Sequence, residues 1–156
     1  MPEFTHLDED RARMVDVSAK GEVYRKAVAA GTITLRPDTL AAIRDGTVVK
    51  GNVLATARVA ATLAIKDTPR LIPMCHAIPV HGIDITFDYT NTGITANVTV
   101  ISSGKTGVEM EALDGVSTAL LTIWDMVKSA EKDEKGQYPV TGISDIRVLE
   151  KVKREI

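Results

Sequence analysis

Asp125 and Lys128 lie three residues apart in a strongly periodic segment, so on a helix both project from one face and each can hold the other in its charged form. A lysine paired in this way can transfer protons, whereas the same pair on an open surface is a plain ion pair worth little. Trp124, next in the chain, is expected to bury Asp125 in part. Glu109 and Glu111 stand at the other end of the same segment. Helical rise of about 1.5 Å per residue puts Glu111 roughly 21 Å from Asp125, too far for one small ligand to touch both within a chain. A site that uses both ends therefore needs two subunits, which implies an oligomer with its sites at interfaces. Without such sharing, the two glutamates simply favour a helix N-terminus.

Lys50-Gly51-Asn52 places another lysine just ahead of a helix, with a glycine that admits close backbone approach. With Lys20, Arg25, Lys66, Lys128 and Lys151 it forms a pool of basic side chains near predicted strand and helix ends. In a chain of net charge -2, basic groups gathered that way suit a polyphosphate. Ser103-Gly104-Lys105-Thr106-Gly107 opens the long periodic segment, where free N–H groups could hold an anion. It lacks the first glycine and the Gly-Lys-Ser/Thr spacing of a nucleotide-binding P-loop, and a plain strand-to-helix turn is the stronger reading. Met74-Cys75-His76 with His81 offers a thiol and two imidazoles from which a zinc site could be assembled. A substrate hydrogen bond suits His76 better than a metal does; His81 opens a strand and reads as structural, and Cys75 as a buried thiol.

The elements that must carry these residues follow from periodicity. Residues 1–13 are expected to form a mobile arm and Met14–Val17 an edge strand. Glu22–Leu35, rich in β-branched residues, predicts a long strand with a bulge or bend at Gly31. Pro37 presets a helical φ and Gly46 a stop, giving a short helix over Pro37–Asp45. Asn52 caps a second helix, Val53 to about Lys66, whose small face of Ala57, Ala60, Ala61 and Ala64 suits tight packing on a sheet. Pro69, Pro73 and Pro79 divide an irregular stretch holding Met74-Cys75-His76. Alternation over His81–Tyr89 and Ile94–Ile101, with Asn91-Thr92-Gly93 between, predicts a hairpin. Leu113, Val116, Leu120, Ile123 and Val127 predict a helix from Val108 to Lys132, and Ile143–Val152 a last strand. The order is that of an α+β, ferredoxin-like βαββαβ fold with one extra helix, an antiparallel sheet carrying its helices on one face.

Composition bounds the rest. The 156 residues suit one domain, spanning 1–156. A hydrophobic content of 44% with 26% charged residues is that of a globular chain, and the net charge of -2 argues against non-specific nucleic-acid binding. One cysteine allows no internal disulfide, the N-terminus has no apolar signal core, and no apolar run approaches the roughly 20 residues of a membrane span. A cytoplasmic location is expected.

Five ordered blocks carry a family resemblance: Met14-Val15-Asp16-Val17-Ser18-Ala19-Lys20, Lys50-Gly51-Asn52-Val53-Leu54-Ala55-Thr56-Ala57-Arg58, Leu71-Ile72-Pro73-Met74-Cys75-His76, Gly104-Lys105-Thr106-Gly107-Val108-Glu109-Met110-Glu111-Ala112-Leu113 and Asp125-Met126-Val127-Lys128. Read together, they resemble the cyclic pyranopterin monophosphate synthases of molybdenum cofactor biosynthesis. The chain departs from the family pattern at Asn52, Met74 and Ala77, and has no glycine- and lysine-rich tail after Lys151. The resemblance implies a lyase that converts a 3′,8-cyclised dihydroguanosine triphosphate into cyclic pyranopterin monophosphate, releasing pyrophosphate. It implies Lys50 and Lys128 as proton-transfer groups with Asp125 positioning Lys128, and Arg25, Lys66 and Lys151 against the phosphates. Met74, Cys75, His76, Met110 and Glu111 would bind substrate. A homohexamer, a trimer of dimers with sites at dimer interfaces, is implied as well. No cofactor is implied; a magnesium ion could accompany the triphosphate but is carried by no motif.

Two other readings use the same residues. A catalytically silent nucleotide-binding oligomer would keep the basic pocket and tolerate loss of Lys50 or Lys128. A zinc-dependent cyclohydrolase would act on guanosine triphosphate through Cys75, His76 and His81.

Overall fold

The computed structural model describes residues 1–4, 7–8 and 11–156. In the stretch expected to be a mobile arm, β1 (Leu7–Asp8) pairs antiparallel with β2 (Arg11–Ala12); Thr5, His6, Glu9 and Asp10 of that arm lie outside the described residues. The main elements are β3 (Val23–Thr34), α1 (Pro37–Asp45), α2 (Val53–Leu71), β4 (Val80–Tyr89), β5 (Gly93–Gly104), α3 (Glu109–Glu131) and β6 (Gly142–Arg154). The last four strands form one sheet in the order β4-β5-β3-β6, every neighbouring pair antiparallel, which is the ferredoxin-like arrangement.

Strand alternation decides which face the helices cover. Ala27, Ala29 and Ile33 of β3 stand opposite Val100, Val98 and Ile94 of β5, and all six are fully buried. α3 lies across β3, β5 and β6 on that face, sinking Val116, Ala119, Leu120 and Ile123 into the same core. Complete burial of a side chain such as Leu120 contributes about 1.5–3 kcal/mol relative to exposure. The pairing of β3 with β6 slips between Ala30 and Thr32, where the sequence anticipates a bulge at Gly31. A Cβ at Gly31 would stand 2.8 Å from Ile146 and Val116, so the missing side chain lets β6 and α3 close over the strand.

Three expectations are corrected. Met14–Val17 is irregular rather than an edge strand, because side chains hold it: the Val15 carbonyl accepts from His76 Nε2 at 2.5 Å, and the Asp16 carboxylate accepts the Ser18 N–H at 2.8 Å. α2 continues past Lys66 to Leu71, with Pro69 inside its last turn. A proline there removes only one helical N–H. Tertiary contacts hold the turn: Thr68 is fully buried and its hydroxyl lies 2.9 Å from the Asp114 carboxylate on α3. The small face of α2 is buried at Ala57 and Ala61, but the main neighbour of the helix is α3 rather than the sheet. At that contact a Cβ on Gly115 would come within 2.8 Å of Ile65, so glycine sets how closely the two helices approach.

Candidate active site

α3 separates the predicted site residues into two groups. At its N-terminal end a cavity of about 310 Å³ is lined by Met74, Cys75, His76, Met110 and Glu111 together with Lys20. The segment 15–17 closes one side. Since a carbonyl oxygen can only accept, the His76 Nε2 at 2.5 Å from Val15 must carry the proton, leaving Nδ1 as the other polar atom of the ring. Lys105 donates to the Ser18 carbonyl at 2.9 Å and so ties down the end of that segment. Arg25 in turn donates to the carbonyls of Gly104 and Lys105 at 3.4 and 3.3 Å. The Ser103–Gly107 segment does not reveal this role of Lys105 in sequence, because its partner is 87 residues away and no local pattern names it.

Acidic groups, not free N–H groups, fill the N-terminus of α3, so the phosphate-cradle reading of Ser103–Gly107 gains nothing. Burial would raise the Glu109 carboxyl, but the hydrogen bond from Lys151, that from its own N–H, and the charges of Lys151 and Arg25 outweigh it and hold the group below the ordinary value. The Lys151–Glu109 pair is 2.5 Å long. A Cβ at Gly107 would collide with that carboxylate, so glycine is what lets Glu109 fold back. Glu111, 3% exposed, is raised by burial, with its own N–H opposing and the charges of Glu109 and Asp114 adding to the rise. Cys75 is half-buried rather than buried; that burial, then the Glu111 charge, pushes its thiol up, which keeps it protonated and poorly nucleophilic.

The Glu111 shift has a testable sign. A carboxyl raised in the fold costs stability as pH climbs from the unfolded value through the folded one, and the cost persists above. Glu111→Gln is therefore expected to raise the melting temperature at neutral pH, with the difference from wild type vanishing below the ordinary glutamate value of 4.5. Thermal unfolding at several pH values reads this; an equal or lower melting temperature for the variant at pH 7 would contradict it.

The second group lies at the C-terminal end of α3. Asp125 Oδ1 accepts from Lys128 at 2.7 Å, while Oδ2 and the Asp125 carbonyl face Lys50 Nζ at 3.4 and 2.9 Å. Two lysines from different elements thus converge on one carboxylate. Asp125 is lowered, first by the Lys128 hydrogen bond and charge and then by Lys50; Lys128 is raised by the same bond. The expected partial burial by Trp124 is absent: Asp125 is 60% exposed, and Trp124 packs edge-on against Tyr138 with ring centroids 5.2 Å apart. A further cavity of about 320 Å³ opens beside Lys50, between α1 and α3.

Lys66 joins neither group: it is exposed on α2 and lines neither cavity. His81 lies exposed on β4, away from the cavity that Cys75 and His76 line. Among the described residues no group of three His, Cys, Asp or Glu is set to hold a metal.

An α+β ferredoxin-like fold with a mixed acid–base cavity at one end of a helix and a Lys–Asp–Lys cluster at the other defines a class of protein built to handle a charged small molecule. The MoaC family model matches residues 14–153, and the chain belongs to that family. Among its relatives, the probable cyclic pyranopterin monophosphate synthase of Methanospirillum hungatei is 93% identical over 156 residues, covering the whole of both chains. That of Methanosphaerula palustris is 72% identical over 153 residues, 98% of this chain and 99% of the relative. The protein of the same name from Pyrococcus abyssi is 58% identical over 149 residues, 96% and 94% of the two chains. No helix among the described residues is long and apolar enough to cross a membrane.

Proposed function

We propose that the chain is a lyase that converts (8S)-3′,8-cyclo-7,8-dihydroguanosine 5′-triphosphate to cyclic pyranopterin monophosphate with release of pyrophosphate, in molybdenum cofactor biosynthesis. The observation that carries this reading is the match along the full chain to proteins of that name. The geometry adds a chemical account. Rearranging the purine-derived ring needs proton transfers, and the Lys50–Asp125–Lys128 cluster offers two ammonium groups on one anion. Closing the cyclic phosphate expels pyrophosphate, whose charge Lys20, Arg25 and Lys151 would neutralise, with Lys66 able to join them only from a second protomer. Lys151 is already paired with Glu109, so the triphosphate must take that ammonium from the carboxylate. Met74, Cys75, His76, Met110 and Glu111 would hold the base and ribose.

The two groups stand at opposite ends of α3, roughly 21 Å apart. One substrate reaches both only if a second protomer supplies one of them, so the working form is an oligomer with shared sites, read here as a trimer of dimers. The reaction needs no redox cofactor, and magnesium would arrive with the triphosphate. Residence in the cytoplasm follows from the substrate, a nucleotide triphosphate derivative.

The test is incubation of the purified protein with the cyclised triphosphate, following pyrophosphate and pterin, beside Lys50→Ala. Wild type is expected to make both products, and the variant to lose turnover by about 10²–10⁴-fold. No product from well-folded wild type would overturn the enzymatic reading and favour a silent nucleotide-binding oligomer.

A further inference from the structure

The buried carboxylate of Glu131 lines neither cavity. It ends α3, is fully buried, and takes up the start of α1: the Arg36 N–H donates to Oε1 at 2.9 Å and Oε2 at 3.2 Å, and the Thr39 hydroxyl bonds the same carboxylate. The Arg36 guanidinium approaches the same carboxylate, with Nε 3.7 Å away. Arg36 is the N-cap of α1 and makes no side-chain cap bond of its own. The cap of α1 is thus supplied from α3, and its negative charge sits where the α1 dipole favours it.

The other end of α1 leads directly to Lys50. Gly46 takes a left-handed φ of 70°, and the Thr47 N–H closes onto the Ala42 carbonyl at 3.0 Å. A turn follows, in which the Gly51 N–H donates to the Val48 carbonyl at 3.0 Å, and Lys50 projects from that turn to Asp125. α3 therefore contacts the Lys50-bearing segment at two points, Glu131 at the start of α1 and Asp125 at its end. Leu40 and Ile43 also bury α1, but apolar contact is non-directional and specifies the axial placement less sharply than a hydrogen bond. The Glu131 hydrogen bonds are directional and fix where α1 starts against α3.

We propose that Glu131 is a positioning residue: by holding the Arg36 N–H it sets the axial placement of α1 and so delivers Lys50 to Asp125. This rests on the reading that Lys50, Asp125 and Lys128 carry the chemistry. Small displacements of a reacting group cost up to about 10²-fold in rate.

The test compares Glu131→Ala and Glu131→Gln in the full-length protein by two readouts. Glu131→Ala is expected to lower kcat about 10- to 100-fold with KM little changed, and to move the Lys50 side-chain carbon and nitrogen chemical shifts toward those of a lysine without a carboxylate. Glu131→Gln keeps an oxygen for the Arg36 N–H and is expected to stay within about twofold of wild type in rate. Should Glu131→Ala not fold, Arg36→Pro breaks the same bond from the other side, since the Arg36 φ of -64° already suits proline. Unchanged Lys50 shifts in a folded variant, or moved shifts with wild-type kcat, would overturn the proposal. The shifts need no turnover, so failure of the positioning role is separable from failure of the proposed reaction, which wild type alone decides.

Discussion

Asp125→Asn is expected to lower kcat by about 10²–10⁴-fold, the range for losing a positioned proton-transfer system, while leaving the fold intact. Asp125 is 60% exposed, so the change empties no core volume and buries no unpaired group. What it removes is the charge that Lys128 and Lys50 share. In wild type the Asp125 hydrogen bond and charge hold Lys128 above the ordinary lysine value of 10.5, so at neutral pH it is an ammonium. The role open to Lys128 without rearrangement is proton donor, not base. With asparagine the Lys128 value falls back, and the alkaline limb of the rate profile is expected to move to lower pH. A general base would behave oppositely: asparagine would raise the neutral fraction of Lys128 at a given pH and partly restore the rate. Rates followed from pH 8 to above 11 for both proteins distinguish these, because the ordinary lysine value of 10.5 has to lie inside the window. Wild-type rates from a folded Asp125→Asn would remove the cluster from the chemistry altogether.

The same cluster shows what a sequence can and cannot carry. The Asp125–Lys128 pair is local, three residues on one helix, and the structure joins them at 2.7 Å as the spacing requires. The Lys50 contact spans 75 residues and depends on α1 and its C-terminal turn, so no periodicity could show it. Bounds written in local chemistry were legible: Pro37–Asp45 has proline at its start and glycine at its stop, and the hairpin has Asn91-Thr92-Gly93. The misread segments answer to distant partners. Met14–Val17 looked like a strand, yet His76 and the cavity wall claim it; α2 looked finished at Lys66, yet Thr68 and Asp114 carry it over Pro69. Counting charges gathered Lys66 with the other basic groups, but the helix face it occupies turns it away from both cavities.

Mixing two inactive variants, Lys128→Ala and His76→Ala, is expected to restore activity. Lys128 and His76 belong to opposite ends of α3, and no single chain brings them to one small substrate. If one protomer contributes residues 74–76 and 109–111 and its neighbour contributes 50, 125 and 128, a mixed pair holds one doubly damaged site and one intact site. Random pairing from equal amounts gives half mixed pairs, each with one good site of two. Activity should then approach about one quarter of wild type after unfolding and reassembly of the mixture. The two unmixed variants, taken through the same cycle, should stay inactive. Sites contained within one chain predict no recovery at any ratio, because every site would carry a lesion. The yield against mixing ratio thus reads the architecture of the site without a bound ligand: a bell-shaped curve peaking at equal amounts supports sharing between protomers, and a flat line at zero rejects it.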